Sequence, residues 1–138
     1  MVGHTFEPTD WLTVDQDRIN MFADATGDHQ WIHIDKEKAK KESPFGTTIA
    51  HGFLTLSLLS QFSLYHVESA KMGINYGTNK VRFTNAVKSG SRIRLVATLA
   101  SVEDYADSGV KIATNCVMEI DGEEKPACIV EALSLIFE

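Results

Sequence analysis

Cysteine is scarce in this chain: Cys116 and Cys128 are the two present among 138 residues. That is too few for a disulfide scaffold and too few for a Cys-based zinc site. Both are expected to stay reduced, and a cytoplasmic setting is the default. Cations are also short, with 13 Lys and Arg against 19 Asp and Glu and a net charge of −6. A nucleic-acid binder normally presents a basic face, so that class is disfavoured. The opening MVGHTFEPTD has neither a basic start nor an apolar run, and it does not read as a secretory signal. Charge is absent altogether from residues 43–67, where Pro44, Gly46 and Gly52 leave 53–65 as the part able to be continuously helical. Those residues reach about 20 Å at ~1.5 Å each, short of a ~30 Å hydrocarbon core. A buried helix of a globular domain is expected there, and no membrane span.

What is present suits one domain over residues 1–138. Hydrophobic residues make up 43% and charged residues 23%, enough for a core that buries roughly two-thirds of the unfolded surface. The first half reads helical. Asp15 caps a helix carrying Ile19, Met21, Phe22 and Ala25 that ends near Gly27. Asp35 caps a short one over residues 36–41, stopped by Ser43-Pro44. The apolar helix after Gly52 carries Leu54, Leu56, Leu58, Leu59, Phe62 and Leu64 on nearly all sides. The second half changes to period two. Residues 92–102, 110–120 and 127–137 alternate as half-buried antiparallel strands, the last with Ile129, Leu133, Leu135 and Phe137 together. Ser89-Gly90, Asp107-Ser108-Gly109 and Asp121-Gly122 supply the turns, and residues 72–84 add another strand. The expectation is an α+β domain, a long antiparallel sheet wrapped around a central buried helix. The two cysteines then fall on neighbouring strands. A three-residue loop at 121–123 places them opposite, and other lengths shift them.

Two polar clusters could carry chemistry. The first is Thr26-Gly27-Asp28-His29-Gln30-Trp31-Ile32-His33, in the gap between two helices. A carboxylate and an imidazole five apart can reach one small molecule, hold a water and move its protons. Equally, Asp28 can cap the next turn and His33 can bond a carbonyl. His29 and His33, with Asp28 and Asp35 near, lack an HExxH-type pattern and have Trp31 and Ile32 between them, so no metal is expected. The second cluster is Ala50-His51-Gly52-Phe53 at the start of the apolar helix. Helix-start N–H groups and a glycine permitting close approach suit a carbonyl oxygen that becomes negative. The competing reading is a packing glycine and a capping histidine. Lys80, Arg82, Lys88, Arg92 and Arg94 fit either a phosphorylated ligand or strand-surface solvation.

Thr26 to His33, followed by Ala39, Phe45-Gly46, Ile49-Ala50-His51-Gly52-Phe53-Leu54, Asn75-Tyr76-Gly77 and Lys80-Val81-Arg82-Phe83, resembles the MaoC-like, (R)-specific enoyl-CoA hydratase family. The spelling GDHQWIH is similar to the branch named for nodulation protein N. The resemblance runs over essentially the whole chain and implies the hot-dog fold. It also implies a homodimer, or a higher oligomer, with joined sheets and acyl-CoA tunnels near the interface. By the same resemblance Asp28 and His33 form the catalytic pair, the Gly52 amide faces the thioester oxygen, and Ser57 sits close to the site. Gln30, Trp31, His51 and Phe53 complete the substrate-binding set. No metal or redox cofactor is implied, the thioester itself being the electron sink. The motif's Asn-Pro is Gln30-Trp31 here: one amide a methylene further out, then a far bulkier side chain bearing on acyl-chain length. The activity implied is reversible hydration of a trans-2-enoyl-CoA to an (R)-3-hydroxyacyl-CoA. The alternatives are a hot-dog acyl-CoA thioesterase and a non-catalytic acyl-thioester binding module.

Overall fold

Strand periodicity in the second half and caps in the first decide the architecture of the computed structural model, which describes residues 1–62 and 66–138. The order is β1 (Leu12–Val14), α1 (Gln16–Thr26), α2 (Trp31–Ile34), α3 (Lys36–Glu42) and α4 (Gly52–Ser57). A 3-10 turn (Leu58–Gln61) follows, then β2 (Met72–Phe83), β3 (Ser91–Tyr105), β4 (Gly109–Ile120) and β5 (Cys128–Phe137). All pairings in the five-stranded sheet are antiparallel, in the order β1-β3-β4-β5-β2. Leu54 and Leu58 of the helical segment pack with Ile93 and Leu95 of β3, Cys116 and Met118 of β4, and Cys128 and Val130 of β5. This is the expected sheet curled on a helix, the hot-dog fold.

The expected caps are in place. The Asp15 carboxylate accepts the Arg18 amide at 2.9 Å, and the Asp35 carboxylate accepts the Lys38 amide at 3.0 Å. Gly27 ends α1 at φ 78°, its N–H donating to the Ala23 carbonyl, and no atom lies within 4 Å of where a Cβ would sit. That glycine is needed for its left-handed backbone, and space is no constraint there. The apolar helix is tighter than its composition suggests. Its α-helical part ends at Ser57, whose Oγ–H donates back to the Phe53 carbonyl at 2.7 Å. The part of the expectation falling on residues 63–65, including Leu64, lies outside the described residues.

The structure decides two points on the strands that the sequence left open. Ile129, Leu133, Leu135 and Phe137 do share a face, but the helix-facing set of β5 begins with Cys128 and Val130, and Ile129 is exposed. Both faces of β5 carry apolar residues, so alternation could not tell inside from outside. The β4–β5 connection spans residues 121–127, and Cys128 pairs with Met118 while Cys116 pairs with Val130. The cysteines therefore lie diagonally on one face, both free and buried. Burial, and less so the neighbouring Cys128, pushes the Cys116 thiol up to about 11. The segments β1 and α2 had no signal strong enough to predict them.

Candidate active site

The αL turn at Gly27 directs the chain out of α1 and into a short loop that carries Asp28. The Asp28 carboxylate accepts the Gln30 amide at 3.3 Å, which starts α2. Trp31 takes the first helical position and has the Lys38 ammonium 4.9 Å from its ring centroid, so its bulk is engaged with α3. Gln30 makes no side-chain cap bond. His29 turns to the Asp24 carboxylate at 2.9 Å, which raises its pKa through that hydrogen bond first.

His33 is held from several directions. Its carbonyl accepts from Gln16 Nε2 at 2.7 Å, and Gln16 Oε1 in turn accepts from the fully buried Thr48 hydroxyl at 2.5 Å. The Ile49 amide donates to the Ile32 carbonyl at 3.0 Å, which brings the two polar clusters together. His33 Nδ1 lies 2.7 Å from the Ile49 carbonyl oxygen. A carbonyl can only accept, so Nδ1 carries the proton and Nε2 keeps its lone pair. Burial pushes the His33 pKa down; the Ile49 contact opposes this, His51 lowers it further, and Asp28 raises it. The residue is 7% exposed. At neutral pH it is a neutral imidazole with a free basic nitrogen.

His51 joins the pair. Its ring stacks on His33 with centroids 3.8 Å apart and planes 22° apart, and its Nε2 donates to the Asp28 carbonyl at 3.0 Å. One ligating-type atom from each of Asp28, His33 and His51 lies within 4.8 Å of the others. A shared ion does not fit this arrangement. Lone pairs lie in the ring planes, and two nearly parallel rings 3.8 Å apart cannot both aim theirs at one ion ~2.1 Å away. The set suits a water or a substrate oxygen between a carboxylate and an imidazole, the Asp28 side chain being 51% exposed and open to a ligand.

Gly52 follows His51 directly as the first residue of α4. Leu54 and Thr55 amides already donate to the His51 carbonyl, so Gly52 and Phe53 N–H are the leading donors of the helix. Unlike Gly27, Gly52 is constrained by space: a Cβ would come within 2.8–2.9 Å of the Phe83 ring. The packing reading of this glycine is thus present in the structure, and it leaves an amide role open. Phe53 is 68% exposed and meets Phe83 edge-on at 5.7 Å. A cavity of about 440 Å³ lies beside Gly52, Thr55 and Phe83. A larger one, about 560 Å³, is lined by Ser57 and Phe62 from the helical segment and by Tyr76, Thr114, Cys116 and Ala132 from the sheet. Asp28, His33 and His51 line neither; α4 runs from their cluster to the larger cavity. Among the cations singled out, Arg92 pairs with Asp121, Arg94 binds Glu119 at 2.8 Å, and their guanidinium carbons lie over the Trp11 ring, 5.7 and 4.4 Å from its centroid. Sequence reasoning missed Gln16 and Thr48, since nothing local marks two polar residues 32 apart as partners.

Known proteins share this arrangement of chain. The family profile described as MaoC like domain matches residues 1–120. A 3-hydroxyacyl-thioester dehydratase Z of Mycobacterium tuberculosis is 49% identical over 133 residues, covering 95% of this chain and 87% of the relative. Nodulation protein N of Rhizobium leguminosarum is 43% identical over 138 residues, covering 98% and 86%. An (R)-hydratase from Pseudomonas aeruginosa, solved unliganded, superposes with a TM-score of 0.74 at 25% identity, covering 100% of this chain and 83% of that one. With the Asp28–His33 pair and the helix start after His51 on the same framework, the chain belongs to the MaoC-like dehydratase family.

Proposed function

We propose that the protein adds water reversibly to a trans-2-enoyl thioester, giving the (R)-3-hydroxyacyl thioester, and removes it in the other direction. The observation that carries this reading is a neutral imidazole with a free Nε2 beside an accessible carboxylate, both just ahead of a helix start. Asp28 and His33 polarise a shared water; its oxygen forms the bond to C3, and its proton is taken up by the pair. The C2–C3 π electrons move to the thioester oxygen as an enolate. The Gly52 N–H holds that oxyanion. One member of the pair returns a proton to C2, so a water is consumed and nothing else is gained or lost. The thioester is the electron sink, and neither metal nor redox cofactor takes part.

The acyl chain is assigned to the larger cavity, which begins at Leu56 and Ser57, one turn along from Gly52. The working form is assigned as a homodimer built on β2. Among the described residues that strand is a sheet edge paired only to β5, and Met72, Ile74, Tyr76 and Phe83 stand exposed on it. A long apolar edge without a partner is an aggregation hazard, and a second copy removes it. The two free cysteines agree with a cytoplasmic setting. No described helix is long and apolar enough to cross a membrane.

Crotonyl-CoA tests the reading, with enoyl absorbance and free thiol followed on one sample. Loss of absorbance without thiol is the expected result. Thiol release instead identifies a thioesterase, and neither change identifies a binding module. The engagement of Trp31 with Lys38 favours the enzyme over a module whose water position Trp31 would block.

A further inference from the structure

His51 is the least explained polar side chain of the cluster. It is 2% exposed and begins α4 without making a side-chain cap bond. Serine, threonine or asparagine would cap better, and a leucine would pack without burying a polar ring. Because the Asp28 carbonyl can only accept, the Nε2 proton is fixed on the side facing Asp28, and Nδ1 is left as a buried lone pair with no partner among the described residues. Neither capping nor core packing accounts for an imidazole kept at that cost. Its contacts account for it. Nε2 reaches the Asp28 backbone at 3.0 Å and lies 4.0 Å from the Asp28 carboxylate. Its face covers the His33 ring at 3.8 Å, and Phe22 of α1 sits 4.9 Å away at a tilt of 56°. The charged and titratable groups in contact with it are thus Asp28 and His33 themselves.

We propose that His51 is a positioning residue for the Asp28–His33 pair, pinning the Asp28 loop through its Nε2–H and setting the plane of the His33 ring by stacking. This rests on the hydratase reading for its catalytic consequence, and it reassigns His51 from the substrate-binding set to the support behind the pair. The two contacts are separable. His51→Phe keeps an aromatic face against His33 and loses the donor, whereas His51→Gln keeps a side-chain N–H and loses the ring.

The test joins imidazole nitrogen NMR and amide exchange, which need no activity, to crotonyl-CoA kinetics. In the parent the proton is expected on Nε2 of His51 and on Nδ1 of His33. His51→Phe is expected to speed amide exchange at residues 28–30 and to lower kcat about 10–100-fold with KM within about twofold. His51→Gln is expected to recover most of the exchange protection and to lie between the two in kcat. A proton on Nδ1 of His51 overturns the proposal. So does a folded His51→Phe with parental exchange and kcat, or one that raises KM alone, which would mark a substrate contact. Should His51→Phe not fold, the parent's tautomers and His51→Gln decide: fast exchange at residues 28–30 in a folded Gln variant counts against the proposal. If the parent hydrates no enoyl thioester, the functional reading fails while tautomers and exchange still settle the role of His51.

Discussion

In the proposed reaction Asp28 and His33 divide their tasks by environment. The carboxylate is half exposed and free to meet water, while the imidazole is buried and locked by the Ile49 carbonyl through Nδ1, which leaves Nε2 as its basic nitrogen. Asp28→Asn keeps the contact to the Gln30 amide and removes the charge, so kcat is expected to fall about 10²–10⁴-fold with the melting temperature little changed. His33→Ala should lose as much. The double variant should lose little more, because in the proposed reaction the two act on one water; steady-state kinetics of all three variants with crotonyl-CoA would reveal additive losses if they act apart. His33 also writes a pH signature into stability. Its folded pKa lies below the ordinary 6.5, so between those two values the unfolded chain binds the extra proton. Stability is therefore full above about 6.5 and declines as pH falls through the window beneath it. His29, raised by Asp24, acts in the opposite sense, so thermal melts from pH 5 to 7.5 are best read in a His29→Gln background. There, replacing His33 with Asn is expected to flatten the acid side of the melting curve against pH. An unchanged slope would mean that His33 is not the buried group that must charge.

At the scale of elements, the helix start after His51 depends on β2. The Phe83 ring fills the space where a Cβ at position 52 would go. Gly52→Ala is expected to destabilise the fold by about 1–3 kcal/mol by overpacking, and Phe83→Leu should recover part of that loss. Denaturant melts of the two singles and the double give the coupling, and strictly additive changes would show that the ring yields freely. Only a double variant that folds well yet turns over slowly speaks to the oxyanion role of the amide. This coupling also shows what sequence could and could not reveal. The α1 and α3 caps and the strands were legible because a cap and an alternation are local, whereas Asp28 and His33 were singled out by the family motif, their five-residue spacing alone leaving the capping and carbonyl-bonding readings open. The short segments β1 and α2 carry too few residues to display a period. The Gln16–Thr48 clamp, the His33–His51 stack and the Phe83–Gly52 contact join residues far apart in sequence, which no pattern announces. In β5, apolar residues on both faces hid which side met the helix. The cysteines illustrate the same limit: strand parity put them on one face, and the seven-residue connection at 121–127 set them diagonally. With Cys116 raised to about 11, its thiol stays protonated, and a Cys116→Ser/Cys128→Ala variant should melt earlier and keep kcat for crotonyl-CoA within a few-fold, any larger effect falling on KM for longer chains that reach the cavity Cys116 lines. Thiol titration of unreduced, denatured parent should count both sulfurs, and a missing thiol would contradict their being free.

For the whole molecule, the unsettled surface is the β2 edge. A twelve-residue strand bonded to one neighbour presents an open ladder, and its exposed Ile74 and Tyr76 stand beside the larger cavity, which Tyr76 also lines. Phe53 and Phe83 form a second exposed apolar pair, close to the helix start. Covering both with a second copy would bury apolar area worth about 25 cal/mol per Å² and would wall in the cavity assigned to the acyl chain. The expectation is that sedimentation velocity finds the parent at twice the 15.3 kDa of one chain. Ile74→Lys places a charge on that edge and should shift the mass towards a single chain, leaving the Asp28–His33–His51 cluster, which is built within one chain, in its parental tautomers. If the cavity is completed across the interface, the variant's KM for a longer enoyl-CoA should rise more than its KM for crotonyl-CoA, whose short chain needs less of the wall. A parent that sediments as one chain would remove the homodimer, and a dimeric Ile74→Lys would place the partner elsewhere than on β2. A monomeric variant with unchanged KM for both chain lengths would confine the acyl site to one protomer.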